Sequence, residues 1–371
     1  MNELTFAIPC LFGLESVVSR EVKRLGLSQV RAEDGRVLAC GSPVDIARLN
    51  VNLRSGERVQ LLLGRFPARD FETLFQGVRA LPWEEFIPVN GAFPVKGYTL
   101  DSQLHSEPSC QAIVKKAVAE RLSACYHTAL PESGPVYQIQ FALLRDQAAL
   151  LLDTTGPGLY KRGYRQGHVL APLRETLAAG LVQLMGFRGR ETFCDPFCGS
   201  GTICIEAALI ALNRAPGLDR SFAAQKWGNL GFEMWSQAAE EALDREFQGE
   251  YDIWGGDTDV QALAAAQKNA AAAGVADLLR FRQVDATRLR CPQDSGVIAT
   301  NPPYGERLLE VQEAEALYRD FGAACARLSP GWKTGLICPH PEFETLFDRP
   351  ADKRRKLYNG KLKCQFFMYN V

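Results

Sequence analysis

Along the first third of the chain, short apolar runs alternate with segments of helical periodicity. "LTFAIPC" (4–10) is apolar and short like a strand, and "GLESVVSREVKRLGL" (13–27) follows with helical spacing. "QVRAEDGRVLACG" (29–41) reads as two strands around Asp34-Gly35, a type I′ hairpin signal, and "PVDIARLNVNL" (43–53) as a second helix. Strand, helix, hairpin and helix in this order open a ferredoxin-like sandwich. The next segment repeats the grammar. "RVQLLLGRF" (58–66) is strand-like, "FETLFQGVRAL" (71–81) amphipathic, "AFPVKGYT" (92–99) a strand and "CQAIVKKAVAERLSACY" (110–126) a helix. Two strands, "YQIQFALLR" (137–145) and "QAALLLDTT" (147–155), precede a glycine-rich and basic stretch, "GPGLYKRGYRQG" (156–167), that marks a linker.

From about residue 173 the period changes to strand–helix alternation with longer helices, the signature of a parallel sheet. "LRETLAAGLVQLMG" (173–186) is a helix, and "TFCDPFCGSGTICIEAALIAL" (192–212) is strand, glycine turn and helix. "YDIWGGDTD" (251–259) is a strand ending in acids before an alanine-rich helix (260–275). "LRFRQVDATRL" (279–289), "SGVIATNPPYG" (295–305) and "WKTGLICP" (332–339) supply three more strand ends, and "RRKLYNGKLKCQFFMYN" (354–370) is a hairpin on Asn359-Gly360. The fold class expected is α/β: a Rossmann-like domain closed by a terminal antiparallel hairpin, preceded by two α+β regions.

Composition narrows the chemistry. With 371 residues, 46% apolar and 23% charged, the chain is an ordinary globular one of more than one domain. A formal net charge of −1 gives no global field toward a polyanion, so nucleic acid would be held by local clusters. Eleven cysteines are scattered without CxxC spacing, and the four histidines are too few for a multi-His metal centre. The absence of a leader pattern at residues 1–9 and of a long apolar span makes the reducing cytoplasm the expected compartment, with no membrane partner.

In "DPFCGSGT" the backbone must turn sharply after a strand and approach a ligand, which Gly199 and Gly201 permit at a helix N-terminus. The spacing is not GxGxxG, and Asp195 stands where it would repel a pyrophosphate but suit a cation. The next strand-end acid, Asp257, comes 62 positions later rather than the ~20 of a dinucleotide fingerprint. A ligand with a cationic centre, a ribose and an adenine fits Asp195, Asp257 and Asp285 in turn, and that ligand is S-adenosylmethionine. Each acid alone would serve equally as a helix cap. Three at successive strand ends, followed by Asn301-Pro302-Pro303-Tyr304, favour the cofactor.

With these motifs residues 160–371 resemble a class I methyltransferase of the amino-methylating kind. The whole chain resembles the bacterial THUMP-domain RNA guanine-N2 methyltransferases, which include the 23S ribosomal RNA enzymes. "CLFGLESVVSREVKRLG", "SQLHSEPSCQAIVKKAV", "LYKRGYRQGHVLAPLRETLAAGLV", "ALNRAPGLDRSFAAQKW" and "KLYNGKLKC" carry the likeness beyond the two loops. The resemblance implies a ferredoxin-like portion (1–56) and a THUMP region (57–157) that capture RNA, and a methyltransferase domain (158–371). Asp195, Pro196, Phe197, Gly199, Ser200, Gly201 and Thr202 fall on the family's cofactor loop, and Asp257 with Thr258 on its ribose-binding turn. Asp285 and Ala286 fall on the adenine-side loop, and Arg165 with Leu173, Arg174 and Glu175 on the junction beside the cofactor.

An exocyclic base amine is a poor nucleophile because its lone pair is delocalised into the ring. The Asn301 side-chain oxygen and the Pro302 carbonyl are suited to accept its hydrogens and aim its lone pair, with Pro302 and Pro303 restricting the backbone. Tyr304 would stack on a base taken out of its helix. For RNA capture the candidates are Lys96, Lys115, Lys116, Arg121 and Arg162, with Lys161, Arg165 and the run 353–356; solvated faces are the plain alternative. Phe71, Phe75, Trp83 and Phe86 read mostly as core. Competing functions are a transfer-RNA guanine-N2 enzyme, a DNA adenine-N6 methyltransferase, since the same four residues serve that amine, and a non-catalytic RNA-binding assembly factor.

Overall fold

The computed structural model describes residues 3–165, 173–228, 230–305 and 311–371. The end of the expected linker and the middle of the junction motif (166–172), and residues 306–310 after the NPPY turn, lie outside the described residues.

The N-terminal sheet is built from β1 (Leu4–Pro9), β2 (Ser28–Glu33), β3 (Arg36–Gly41), β4 (Gln60–Pro67), β5 (Val95–Leu100), β6 (Gln138–Leu144) and β7 (Gln147–Asp153). They lie side by side as β2-β3-β1-β4-β7-β6-β5. β4 pairs antiparallel with β1 on one side and β7 on the other, so the ferredoxin-like and THUMP regions share one continuous sheet. Helices α1 (Glu15–Arg24), α2 (Asp45–Asn52), α3 (Phe71–Arg79) and α4 (Glu107–Tyr126) accompany it. α4 begins three residues earlier than its apolar period suggests, because Ser106 caps it and Pro108 occupies its first turn. Trp83 and Phe86 are buried as expected, whereas Phe71 is 40% exposed.

The second sheet is made of β8 (Thr192–Asp195), β9 (Ile253–Asp257), β10 (Leu279–Gln283), β11 (Ser295–Thr300), β12 (Gly331–Cys338), β13 (Lys353–Asn359) and β14 (Leu362–Tyr369), in the order β10-β9-β8-β11-β12-β14-β13. β8 to β12 are parallel, and β14 and β13 close the edge antiparallel. Helices α5 (Glu175–Leu184), α6 (Thr202–Ala211), α7 (Glu233–Leu243), α8 (Val260–Ala272), α9 (Val311–Ala326) and α10 (Phe343–Leu346) belong to this half. From β8 the chain builds outward through β9 and β10, then returns to lay β11 on β8's other side. The switch point of the sheet therefore falls between β8 and β11, and a crevice opens there at the strands' carboxyl ends.

Both hairpins form where expected, but neither turn is type I′. Gly35 has φ +71 and Gly360 φ +63, whereas neither Asp34 nor Asn359 has a positive φ. With Glu33 opposite Arg36, the positive φ falls on the second turn residue, the type II pattern. With Asn359 opposite Leu362, it falls on the first, the type II′ pattern.

The two halves interlock. On α1, Val18 and Val22 join the N-terminal core, while Val17 and the N-cap residue Leu14 enter the core of the second sheet. In return, Phe222, Trp227 and Trp235 pack into the N-terminal core, with Trp227 stacked on Tyr137 at 4.6 Å between centroids. Arg48 holds Glu241 through two bonds, at 2.9 and 2.6 Å.

Candidate active site

β8 delivers Asp195 to the switch point, and Pro196 and the loop that follows turn into α6. Gly199 (φ +49) and Gly201 (φ +81) both adopt left-handed backbone there. A Cβ on Gly201 would press on Ala266 and Phe281 at 3.0 and 3.1 Å, whereas one on Gly199 would meet no atom within 4 Å. The loop is braced from α8, where Asn269 Nδ2 donates to the Ser200 carbonyl at 3.0 Å. From β9, Asp257 accepts the Gly199 amide on one oxygen and the Asp259 amide on the other, both at 2.9 Å. Thr258 follows, its carbonyl accepting Gln283 Nε2 at 3.1 Å. Phe197 meets Phe321 edge-on at 5.1 Å.

Asp195 is 1% exposed and accepts the Thr300 hydroxyl at 2.5 Å and the Phe197 amide at 3.2 Å. Burial is the main cause that pushes its carboxyl up to about 7; the two hydrogen bonds oppose it, and the neighbouring Asp257 charge adds to it. Thr300 is the last residue of β11, so this bond ties the two strands across the switch point. Asp285 behaves as a cap: one carboxylate oxygen accepts the Thr287 amide at 2.9 Å and its hydroxyl at 2.7 Å, and these bonds hold it below the usual carboxylate range. Ala286 is buried beside it. At the junction, Arg165 pairs with Glu175 at 3.1 Å, donates to the Leu173 carbonyl at 2.9 Å and reaches the Thr202 hydroxyl at 3.4 Å. Arg174 instead pairs with Glu57 at 3.1 Å.

Asn301, half-buried, follows Thr300 directly. Tyr304, expected to stack on a base, is turned toward the protein in this structure. Its ring packs against the core of the second sheet and its hydroxyl donates to Asn301 Oδ1, while Asn359 Nδ2 approaches that hydroxyl at 3.5 Å. An amphipathic phenol finds both apolar cover and two polar partners there, and burial raises its hydroxyl pKa well above the ordinary value. Tyr318 donates to the Pro303 carbonyl at 2.6 Å and so fixes the turn.

The basic candidates separate by environment. Lys96 and Lys116 are exposed, Lys116 lying 3.8 Å from Glu120. Lys115 is spent on Glu132 at 2.6 Å and on the Phe93 ring, and Arg121 on Glu84. Arg162 is a correction. It is 5% exposed, pairs with Glu206 at 3.4 Å and donates to the carbonyls of Leu53, Arg54 and Leu159, so it is an internal strut and not a phosphate contact. Residues the sequence reading passed over are Thr300, Asn269, Tyr318 and Asn359. Asn269 had a legible signal, being a lone amide on the Ala266–Ala270 face of an alanine helix. Cys194, Cys198 and Cys204 are buried, and burial raises their thiols well above the ordinary value. Among the described residues no helix is long and apolar enough to cross a membrane.

Three family models match in series: an RlmL ferredoxin-like domain over residues 5–60, a THUMP domain over 68–153, and an RMKL-like methyltransferase domain over 162–367. The "Putative RNA methyltransferase YpsC" of Bacillus subtilis is 40% identical over 100% of this chain and 96% of its own. The "Ribosomal RNA large subunit methyltransferase K/L" of Aeromonas hydrophila is 32% identical over 99% of this chain but 54% of its own, so the chain spans about half of that relative's length. Among solved structures, "a putative methyltransferase complexed with SAH" superposes with a TM-score of 0.94 at 40% identity, covering 100% of this chain and 98% of the other. A "predicted N6-adenine-specific DNA methylase" from Listeria monocytogenes gives 0.94 at 39%, covering 100% and 96%. The crevice between Asp195 and Asn301 is thus that of a class I, S-adenosylmethionine-dependent methyltransferase fold, and the chain belongs to the RMKL-like methyltransferase family with an RlmL-type ferredoxin-like domain and a THUMP domain ahead of it.

Proposed function

We propose that this chain methylates the exocyclic N2 amine of a guanosine in large-subunit ribosomal RNA. One observation supports an amine-methylating site: the Thr300–Asp195 bond ties the strand that leads into Asn301 and Pro302 to the strand that leads into the glycine loop, across the switch point of the sheet. S-adenosylmethionine supplies an electrophilic methyl group on a cationic sulfur. Around it, the buried Asp195 favours positive charge, and Asp257, already fixed by two amides, has lone pairs left for ribose hydroxyls. The second oxygen of Asp285, 3.7 Å from Arg288 Nε, is the one offered to the adenine amino group, and Gly199 lets the ligand approach the backbone. Arg165 and Leu173 brace the start of α6 at Thr202 from the junction side.

On the substrate side, Asn301 Oδ1 and the Pro302 carbonyl accept the two amine hydrogens, which aims the nitrogen lone pair at the methyl carbon. The Tyr304 hydroxyl donates to Asn301 Oδ1 in this structure, which orients the amide and leaves that oxygen a second lone pair for the amine. The THUMP domain and the names of the ribosomal RNA relatives support RNA as the substrate. Lys96, Lys116, Lys161, Lys353 and Lys356 are exposed candidates for its phosphates, whereas Lys115 and Arg121 are paired with carboxylates.

Asp195 makes cofactor affinity pH-dependent. Its carboxyl is raised from 3.8 to about 7, so its contribution to stability is present at acid pH and is lost as pH rises through about 7. A cationic ligand binds the ionised form, so affinity should rise by up to about tenfold per unit as pH approaches 7, then level off. Calorimetry between pH 5.5 and 8.5 should show this slope with proton release on binding, and Asp195→Asn should flatten it.

The substrate class is tested by incubating the protein with labelled S-adenosylmethionine and total RNA from a strain lacking the gene. Label should enter the large ribosomal RNA. Label in transfer RNA would shift the target within the same chemistry. The name of the Listeria neighbour favours a DNA adenine, so unmethylated duplex DNA is the competing substrate in this assay; label there instead of RNA would overturn the proposal.

A further inference from the structure

Beside the catalytic turn, two parts of the chain distant in sequence build a small aromatic and basic platform. Phe12, in the turn between β1 and α1, is 42% exposed. Its ring meets Tyr358 of β13 edge-on at 6.2 Å and 81°. Lys356 Nζ lies 5.4 Å from the Phe12 ring centre and 5.5 Å from that of Tyr358. The turn is clamped: Arg355 donates to the Gly13 carbonyl at 2.8 Å and to Ser16 Oγ at 2.9 Å. Gly13, at φ +94, sits so close that a Cβ would come within 2.2 Å of the Lys356 carbonyl oxygen.

The platform lies at the same end of the sheet as the catalytic turn. Gln365 of β14 lies opposite Cys338 at the end of β12, which puts the β13–β14 turn at the carboxyl ends of the parallel strands. From the other face of β13, Asn359 reaches the Tyr304 hydroxyl at 3.5 Å, so the platform and the catalytic turn flank one hairpin. Lys361 and Lys363, on the same hairpin, are exposed.

We infer that Phe12, Tyr358 and Lys356 form a stacking site for the unpaired RNA nucleotide next to the target guanosine. Withdrawing a base from its helix leaves its neighbours without a stacking partner, and an aromatic face on the enzyme replaces one. The clamp holds the turn that carries Phe12 against the strand that carries Tyr358 before RNA arrives, so little backbone freedom is lost on binding. Lys356 Nζ lies over both ring faces, so it swings aside for a base to stack, and its charge, with Lys361 and Lys363, then meets the adjoining phosphates. Two rings beside three lysines suit one nucleotide and its backbone better than a protein surface, whose contact core is broad and poor in charge.

The inference rests on the RNA reading above, and a binding assay separates the two. A fluorescently labelled single-stranded RNA of ~12 nucleotides containing guanosine is titrated by anisotropy with the full chain. Phe12→Leu keeps apolar cover over the hairpin but removes the π face, and Phe12→Tyr restores it. Phe12→Leu and Tyr358→Ala should each weaken binding about tenfold, a typical loss for one stacked base. Phe12→Tyr should stay within about twofold of the parent, and cofactor affinity and Tm should be unchanged throughout. Phe12→Leu binding as tightly as the parent would overturn the stacking site, as would a parent chain that does not bind the RNA. Ring-dependent binding without methyl transfer to any RNA would leave the site standing and sink the proposed activity. Transfer with a KM for RNA indifferent to Phe12→Leu would do the reverse.

Discussion

Asn301→Ala should lower turnover by about 10²–10³-fold while leaving S-adenosylmethionine affinity within about twofold. The asymmetry follows from where the residue stands. The contacts assigned to the cofactor come from the Arg165–Leu173 junction, the ends of β8 and β9 and the turn after β10, whereas Asn301 begins the turn after β11. Its Oδ1 is the acceptor that Tyr304 holds in this structure, so truncation removes a preorganised acceptor and leaves the loop's other brace, Tyr318 on the Pro303 carbonyl, intact. Removing one preorganised hydrogen-bonding group from a transition state typically costs roughly 3–4 kcal/mol, which is the stated range. Single-turnover rates and calorimetric titration on the same preparation read the two quantities. A parallel loss of cofactor affinity would move Asn301 from the amine to the cofactor.

Arg162→Ala should destabilise the protein by about 3–5 kcal/mol, seen as a fall in Tm of roughly 5–10 °C, with RNA affinity of the surviving folded protein unchanged. Arg162 and Glu206 have side chains 3% and 0% exposed, and Tyr164 donates to the same carboxylate at 3.0 Å. Truncation therefore leaves a buried carboxylate without its cation and frees the carbonyls of Leu53 and Arg54, which belong to the N-terminal half. Removing the carboxylate as well, in Arg162→Met with Glu206→Leu, should recover only part of the loss, because those carbonyls stay unpaired. Differential scanning fluorimetry checks the order of the three. Lys116→Ala, on the surface, should leave Tm untouched.

Arg162 also shows where reading residues locally breaks down. In "GPGLYKRGYRQG" the glycines and basic residues look like a solvated linker, and the arginine's partner lies 44 positions on, inside α6. The trace of it was Glu206, the one charge in the otherwise apolar "TICIEAALIAL". The strand ends were legible because a parallel sheet delivers its functional side chains immediately after apolar runs, which placed Asp195, Asp257 and Asn301 without tertiary information. Tyr304 was legible as a member of the site but not in its orientation, since Asn359 and the core that receive it come from the terminal hairpin and the sheet interior. The interlock of Phe222, Trp227 and Trp235 with the N-terminal core was hidden for a related reason. Aromatic residues in an irregular stretch carry no period to say which core they join.

N2 of guanine is the atom expected to take the methyl group, and one measurement addresses it directly. RNA methylated by the protein with S-adenosylmethionine carrying an isotopic methyl group is digested to nucleosides and resolved by liquid chromatography and mass spectrometry. The labelled product should be N2-methylguanosine. Label on N6-methyladenosine would keep the amine chemistry of Asn301 and Pro302 but contradict the guanine assignment, and label on a ring carbon or a ribose oxygen would contradict the account as a whole.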